Sequence, residues 1–151
     1  MTRFVFAAAL ALAVAGCDSV GTEAGEVDLD ALLEVADQEA LEDARDRWRA
    51  SGPDAYTMRY EVICFCPPVT VEVTVEDGRI VGSETTGGPA QALDVDGLYR
   101  VALDAYAEGA ASVNARVTER GPPVLVDLFV DYSEAIADEE VGYRVVAFRA
   151  R

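Results

Sequence analysis

The chain has 151 residues, with 28 acids against 12 bases, no histidine and a formal net charge of −16. All the bases are arginine. This balance disfavours nucleic-acid binding, which needs a basic face, and adhesion of the protein body to anionic headgroups. The lack of histidine removes the usual base of a Ser or Cys triad. The acids are spread along the chain instead of forming one block. That reads as an acidic surface suited to high ionic strength, with a patch for cationic partners as the sharper alternative.

Residues 1–16 read as an export signal. One positive charge at Arg3 precedes an apolar run from Phe4 to Val14, followed by Val14-Ala15-Gly16-Cys17. The run is too short for a bilayer, which needs roughly 20 apolar residues, and small residues before a cleavage point describe a removed leader. The last four residues resemble the lipobox of bacterial lipoproteins, which implies a diacylated Cys17 at the mature N-terminus. The alternative is an ordinary secretory signal with an incidental cysteine. Two acyl chains make a stable anchor, so the expected partner is a membrane held through Cys17. The expected location is the bacterial cell envelope, with the domain outside the cytoplasm. Asp18 resembles an inner-membrane retention signal of enteric-type sorting, a rule that does not hold in all bacteria.

Residues 17–36 are expected to form an acidic tether and a possible helix start, ahead of a domain at 37–151. DSVGTEAGEVDLD is rich in Gly, Ser, Thr and acid. From Leu29 a helical period runs through Leu32, Leu33, Ala36, Leu41, Ala44 and Trp48, and Ser51-Gly52-Pro53 closes it. The helix begins either at Asp28 or nearer Asp37. Trp48, the single tryptophan, reads as a core anchor.

A strand is expected from Tyr56 to Cys64, on its aromatic and β-branched content. Val69 to Glu76 alternates valine with Thr and Glu, giving one buried and one wet face. Asp77-Gly78 makes a two-residue hairpin turn into Arg79-Ile80-Val81, and SETTGGPAQ reads as a surface loop. Asp94 or Asp96 caps a second helix through Leu98, Val101, Ala102, Ala105 and Tyr106. Strands Val124 to Tyr132 and Tyr143 to Arg149 follow, joined by the acidic loop SEAIADEE. The expected fold is therefore α+β: a single small domain with an antiparallel sheet of about five strands and two helices on one face, in the order α-β-β-β-α-β-β.

Ile63-Cys64-Phe65-Cys66-Pro67-Pro68 stands out from this frame. Exported thiols tend to oxidise, so a Cys64–Cys66 disulfide is the simplest reading. In a straight strand such a pair lies too far apart, so the backbone has to bend there, and Pro67 favours a kink. A thiol redox role is the second reading, although this is not a C-x-x-C at a helix start. Soft-metal capture by the two thiolates with Met58 is a third, and free thiols or intermolecular pairing a fourth.

CFCPP at 64–68, Ala44 to Trp48, the aromatic strand at Tyr56 to Tyr60, the V-x-V-x-V-x-DG-x-I-V hairpin and the acidic loop before Tyr143-Arg144-Val145 together resemble the DUF6174 family, from about Glu39 to Phe148. The resemblance implies a shared fold and an envelope location, and it supplies no catalytic residue. Carboxylate pairs at Glu76-Asp77 and Asp138-Glu139-Glu140 could hold a hard cation or act as acid and base, but a turn and a solvated loop explain them. GGPAQ lacks the lysine of a phosphate loop. The expected function is a lipid-anchored, non-catalytic binding or assembly module with no cofactor. A thiol redox or soft-metal protein using Cys64 and Cys66 is the competing class.

Overall fold

The computed structural model describes residues 29, 31–35, 37–136 and 139–151. The expected leader, Cys17, Asp18 and most of the expected tether lie outside the described residues.

The first difference from expectation is Leu32–Val35, which is a strand, β1, and not the start of a helix. Its apolar spacing suits a helix, but pairing with a later strand decides its form, from Leu32 opposite Thr118 to Val35 opposite Ala115. Asp37 separates the two states. Its extended backbone (φ −148°) keeps it out of the helix while its carboxylate accepts from the Ala40 amide at 2.8 Å, capping α1 (Gln38–Ser51). Leu41, Ala44 and Trp48 lie on one helical face and are buried.

A meander follows: β2 (Tyr56–Ile63), β3 (Val69–Glu76) and β4 (Arg79–Thr86). The hairpin at Asp77-Gly78 forms as expected. Both residues have positive φ, 49° and 67°, the backbone a tight turn between twisted strands requires. β4 extends through Ser83–Thr86, so the front of SETTGGPAQ is strand and not loop. All of β4 is exposed, because it is an edge strand beyond helix cover. Gly87, at φ +96°, ends it; a Cβ there would fall 2.1 Å from the Pro68 carbonyl oxygen.

Asp94 caps α2 (Val95–Glu108), accepting from the Gly97 amide at 2.6 Å, and Gly109 closes it in the left-handed region at φ 78°. A strand absent from the expected set comes next, β5 (Ser112–Thr118), followed by β6 (Leu125–Asp131) and β7 (Val141–Ala150). Thr118 fixes the β5–β6 connection: its buried hydroxyl donates to the Pro122 carbonyl and accepts from the Val124 amide.

The sheet thus has seven strands, not about five, all pairs antiparallel, in the order β1-β5-β6-β7-β2-β3-β4. The chain order is β-α-β-β-β-α-β-β-β. The C-terminal strand is central, joining a β5–β6 half to a β2–β3–β4 half. Both helices lie on one face, as expected. Tyr56 shows this directly: its ring meets Trp48 of α1 edge-on at 5.7 Å, and its hydroxyl accepts from the Val95 amide of α2 at 3.1 Å.

That covered face holds the core. Tyr56, Met58 and Tyr60 of β2 and Val71, Val73 and Val75 of β3 are buried on this side of the sheet. Each fully buried aliphatic side chain contributes about 1.5–3 kcal/mol. Trp48 is the core anchor the sequence suggested, touching Tyr56 and Phe148. The two helices are clamped by Arg45 and Arg49 of α1, which both donate to Asp96 of α2 at 2.7–3.2 Å.

Candidate functional site: the open face of the sheet

The opposite face carries no helix, and the register arranges its charges in rows. One row crosses every strand: Glu34 on β1, Arg116 on β5, Asp127 on β6, Arg144 on β7, Glu61 on β2, Thr70 on β3 and Thr86 on β4. Acid and arginine alternate along it until the two threonines. Asp127 is the hinge of the row, receiving Arg116 on one side and Arg144 at 3.0 Å on the other. Cross-strand neighbours of opposite charge contribute about 0.2–1 kcal/mol each, so the row specifies register more than it stabilises.

Bulges keep the faces in phase along strands that carry an extra residue. Arg59 opposes Ala147 and Tyr60 opposes Val145, so Val146 has no partner. The extra residue resets the alternation, and Arg144 before it shares the open face with Arg149 and Arg151 after it despite an odd spacing. Val126 plays the same part in β6, and Val81 in β4. The outcome is a face on which Arg59, Arg79, Arg116, Arg144, Arg149 and Arg151 meet Glu34, Glu61, Glu72, Glu76, Glu84, Asp127 and Asp131. In a chain of net charge −16, this face is close to balance and most of the acid excess lies elsewhere.

Two hollows open on it. One, of about 320 Å³, sits over the row beside Gly142 and is bounded by Glu34, Ile63, Asn114, Arg116, Asp127, Phe129 and Arg144. Gly142 creates part of it, since a Cβ there would stand 3.2 Å from Ile63 Cβ. Ile63 and Phe129 are exposed apolar side chains at its rim. The other hollow, of about 380 Å³, lies beyond the bulge and is bounded by Thr57, Arg59, Glu72, Ala147, Arg149 and Arg151.

Cys64 and Cys66 lie where β2 ends, at disulfide distance and bonded to each other. Their Cα atoms are 5.1 Å apart, against roughly 6.8 Å for residues two apart in a straight strand, so the backbone bends there as the spacing required. Cys66 is exposed and Phe65 projects into solvent at 87% exposure. Met58 does not join them. It is 1% exposed in the core, on the helix-covered side of β2, which removes the soft-metal set of two thiolates and a thioether. No group of three or more Cys, Asp or Glu with metal-holding geometry occurs among the described residues. Glu76 pairs with Arg151 at 3.5 Å and Asp77 belongs to the turn. Glu139 and Glu140 are exposed, and Asp138 lies outside the described residues.

The tyrosines of the covered face are structural. Tyr60 donates to the Gln91 carbonyl at 2.6 Å and accepts from the Leu93 amide at 3.0 Å. Burial pushes its phenol up to about 12, and pushes Tyr56 and Tyr99 higher still. At neutral pH all three hydroxyls are protonated and serve as hydrogen-bonding pins.

Nothing in composition or motif spacing singles out the open-face arginines and Phe129. The signal was present as single charges at alternate positions in each strand, but only the register shows which of them share a row.

Residues 40–150 match DUF6174, a family of unknown function, and the chain belongs to that family. No curated protein matches the chain, and no solved structure does. No helix among the described residues is long and apolar enough to cross a membrane.

Proposed function

We propose that this protein is an envelope lipoprotein, anchored by lipid on Cys17, whose domain is a non-catalytic binding or assembly module. The observation that carries the binding reading is the open face: a charge-matched surface spanning seven strands, bare of helices, with Phe129 and Ile63 exposed beside the row through Asp127. Its charge pattern gives a partner orientation and register, while its apolar rim gives it area to bury. The anchoring reading rests on the sequence at Val14-Ala15-Gly16-Cys17.

Two measurements test it on the full chain expressed in a bacterial host. The intact mass of the matured protein should carry a diacylglyceryl group, lost in Cys17→Ser; an unmodified mass overturns the anchor. A photo-crosslinking side chain at Phe129 should give one discrete product that the same group at Glu42, exposed on α1, does not. That product should survive Cys64→Ser with Cys66→Ser.

The exposed position of the Cys64–Cys66 bridge favours a second reading, thiol exchange. A partner dithiol would reduce the bridge and be oxidised in turn, two electrons and two protons passing between them. Loss of the crosslinked product in the double serine variant, with the fold intact, would select this reading over the first.

A further inference from the structure

The two hollows of the open face differ in charge. The one over the Asp127 row is bounded by two arginines and two acids. The one beyond the bulge is bounded by Arg59, Arg149 and Arg151 against Glu72 alone. Arg149 lies directly opposite Thr57, and Arg59 opposite Ala147, so Arg59 and Arg149 are diagonal neighbours with about 7–8 Å between their Cα atoms. Arg151 follows two residues along the chain. Ala147 supplies a small floor between them. Among the described residues Arg151 reaches Glu76 at 3.5 Å, whereas Arg59 and Arg149 make no ion pair.

Three arginines bounding one concavity carry like charges that repel one another, and an acidic chain has many carboxylates that could have been placed there. The bulge at Val146 instead brings Arg149 and Arg151 onto the face of Arg59. A guanidinium presents a planar fork of donors matched to oxyanions, and several together match a dianion better than a single carboxylate. We propose that this hollow binds a small soluble molecule bearing a phosphate group, with Arg59 and Arg149 as its principal donors, Arg151 as the third and the Thr57 hydroxyl within the same site. A soluble ligand is favoured over a membrane surface because the net charge of −16 repels an anionic bilayer, while one small anion meets only the local field. Glu72 opposes Arg59 on its other side and limits affinity.

This rests on the open face being the working surface and names the ligand chemistry of one part of it. The test is an NMR titration of the full chain in detergent with inorganic phosphate, against sodium chloride at equal ionic strength, reading arginine Nε–H resonances. Saturable shifts confined to Arg59, Arg149 and Arg151 are expected. Arg59→Ala and Arg149→Ala should each weaken binding about tenfold, Glu72→Gln should strengthen it, and Arg120→Ala, outside the hollow, should leave it unchanged. Shifts no larger than those in chloride, or affinity indifferent to Arg59→Ala and Arg149→Ala, overturn the proposal. Binding to phosphatidylglycerol vesicles through these arginines without binding of free phosphate also overturns it, and assigns the site to a membrane. The crosslink from Phe129 is independent of these variants, so a failed phosphate site and a failed open face give different results.

Discussion

The two faces of the sheet are built by opposite means. Beneath the helices, contacts are apolar or neutral: Trp48, Tyr56 and Phe148 form an aromatic cluster, and tyrosine hydroxyls pin the segment from Gln91 to Val95. On the open side, charged side chains face one another across strands in solvent. Stability is thereby concentrated on one side and solvated charge on the other, so the open face is free to vary without loss of the fold.

Breaking the covered face should have the largest effect. Trp48→Ala removes the ring packed on Tyr56 and Phe148 and should cost about 3–5 kcal/mol in urea unfolding. Tyr60→Phe keeps the ring but leaves the Leu93 amide and Gln91 carbonyl without their partner; about 1–3 kcal/mol is expected by the same measurement.

The helix clamp sharpens the comparison through pH. Hydrogen bonds from Arg45, then those from Arg49, hold the Asp96 carboxyl well below its ordinary value, against the opposing effect of burial. The folded-state value is the lower one, so this contribution is fully present above the unfolded value near pH 4 and fades as pH falls through the folded value. Asp96→Asn should flatten the decline of stability on acidification below about pH 5, read as melting temperature against pH. The smallest effect belongs to the open face. Asp127→Asn should change stability by less than about 1 kcal/mol, and by less still in high salt.

Much of the covered face was legible in the sequence. Valine alternation gave β3, the Asp-Gly pair its turn, and Asp94 or Asp96 the start of α2, because each depends on residues close in the chain; Asp94 is the cap. Leu32–Val35 was not legible, since its spacing is helical and only the distant β5 makes it a strand. β5 itself carries an alternation at Val113, Ala115 and Val117, diluted by the weak strand formers Asn114 and Ala115. The length of β4 was hidden by Gly82 and its polar tail, which an edge strand tolerates. The Cys64–Cys66 pairing was the simplest reading for exported thiols, against a spacing that demands a bent backbone. The charge rows were not, because a row is a property of pairing between strands and of unpaired residues such as Val146.

Val146 bears on how this chain can change in length. Arg144 and Val145 before it, and Ala147 and Phe148 after it, already hold the faces that an unbulged ladder would give them. Losing that one codon would straighten β7 without turning over a single side chain. Losing a residue from the regular stretch of β2 between Tyr56 and Arg59 would instead drive charge beneath the helices and phenol rings into water. Single-residue gains and losses in this sheet should therefore be survivable at its bulges and lethal between them.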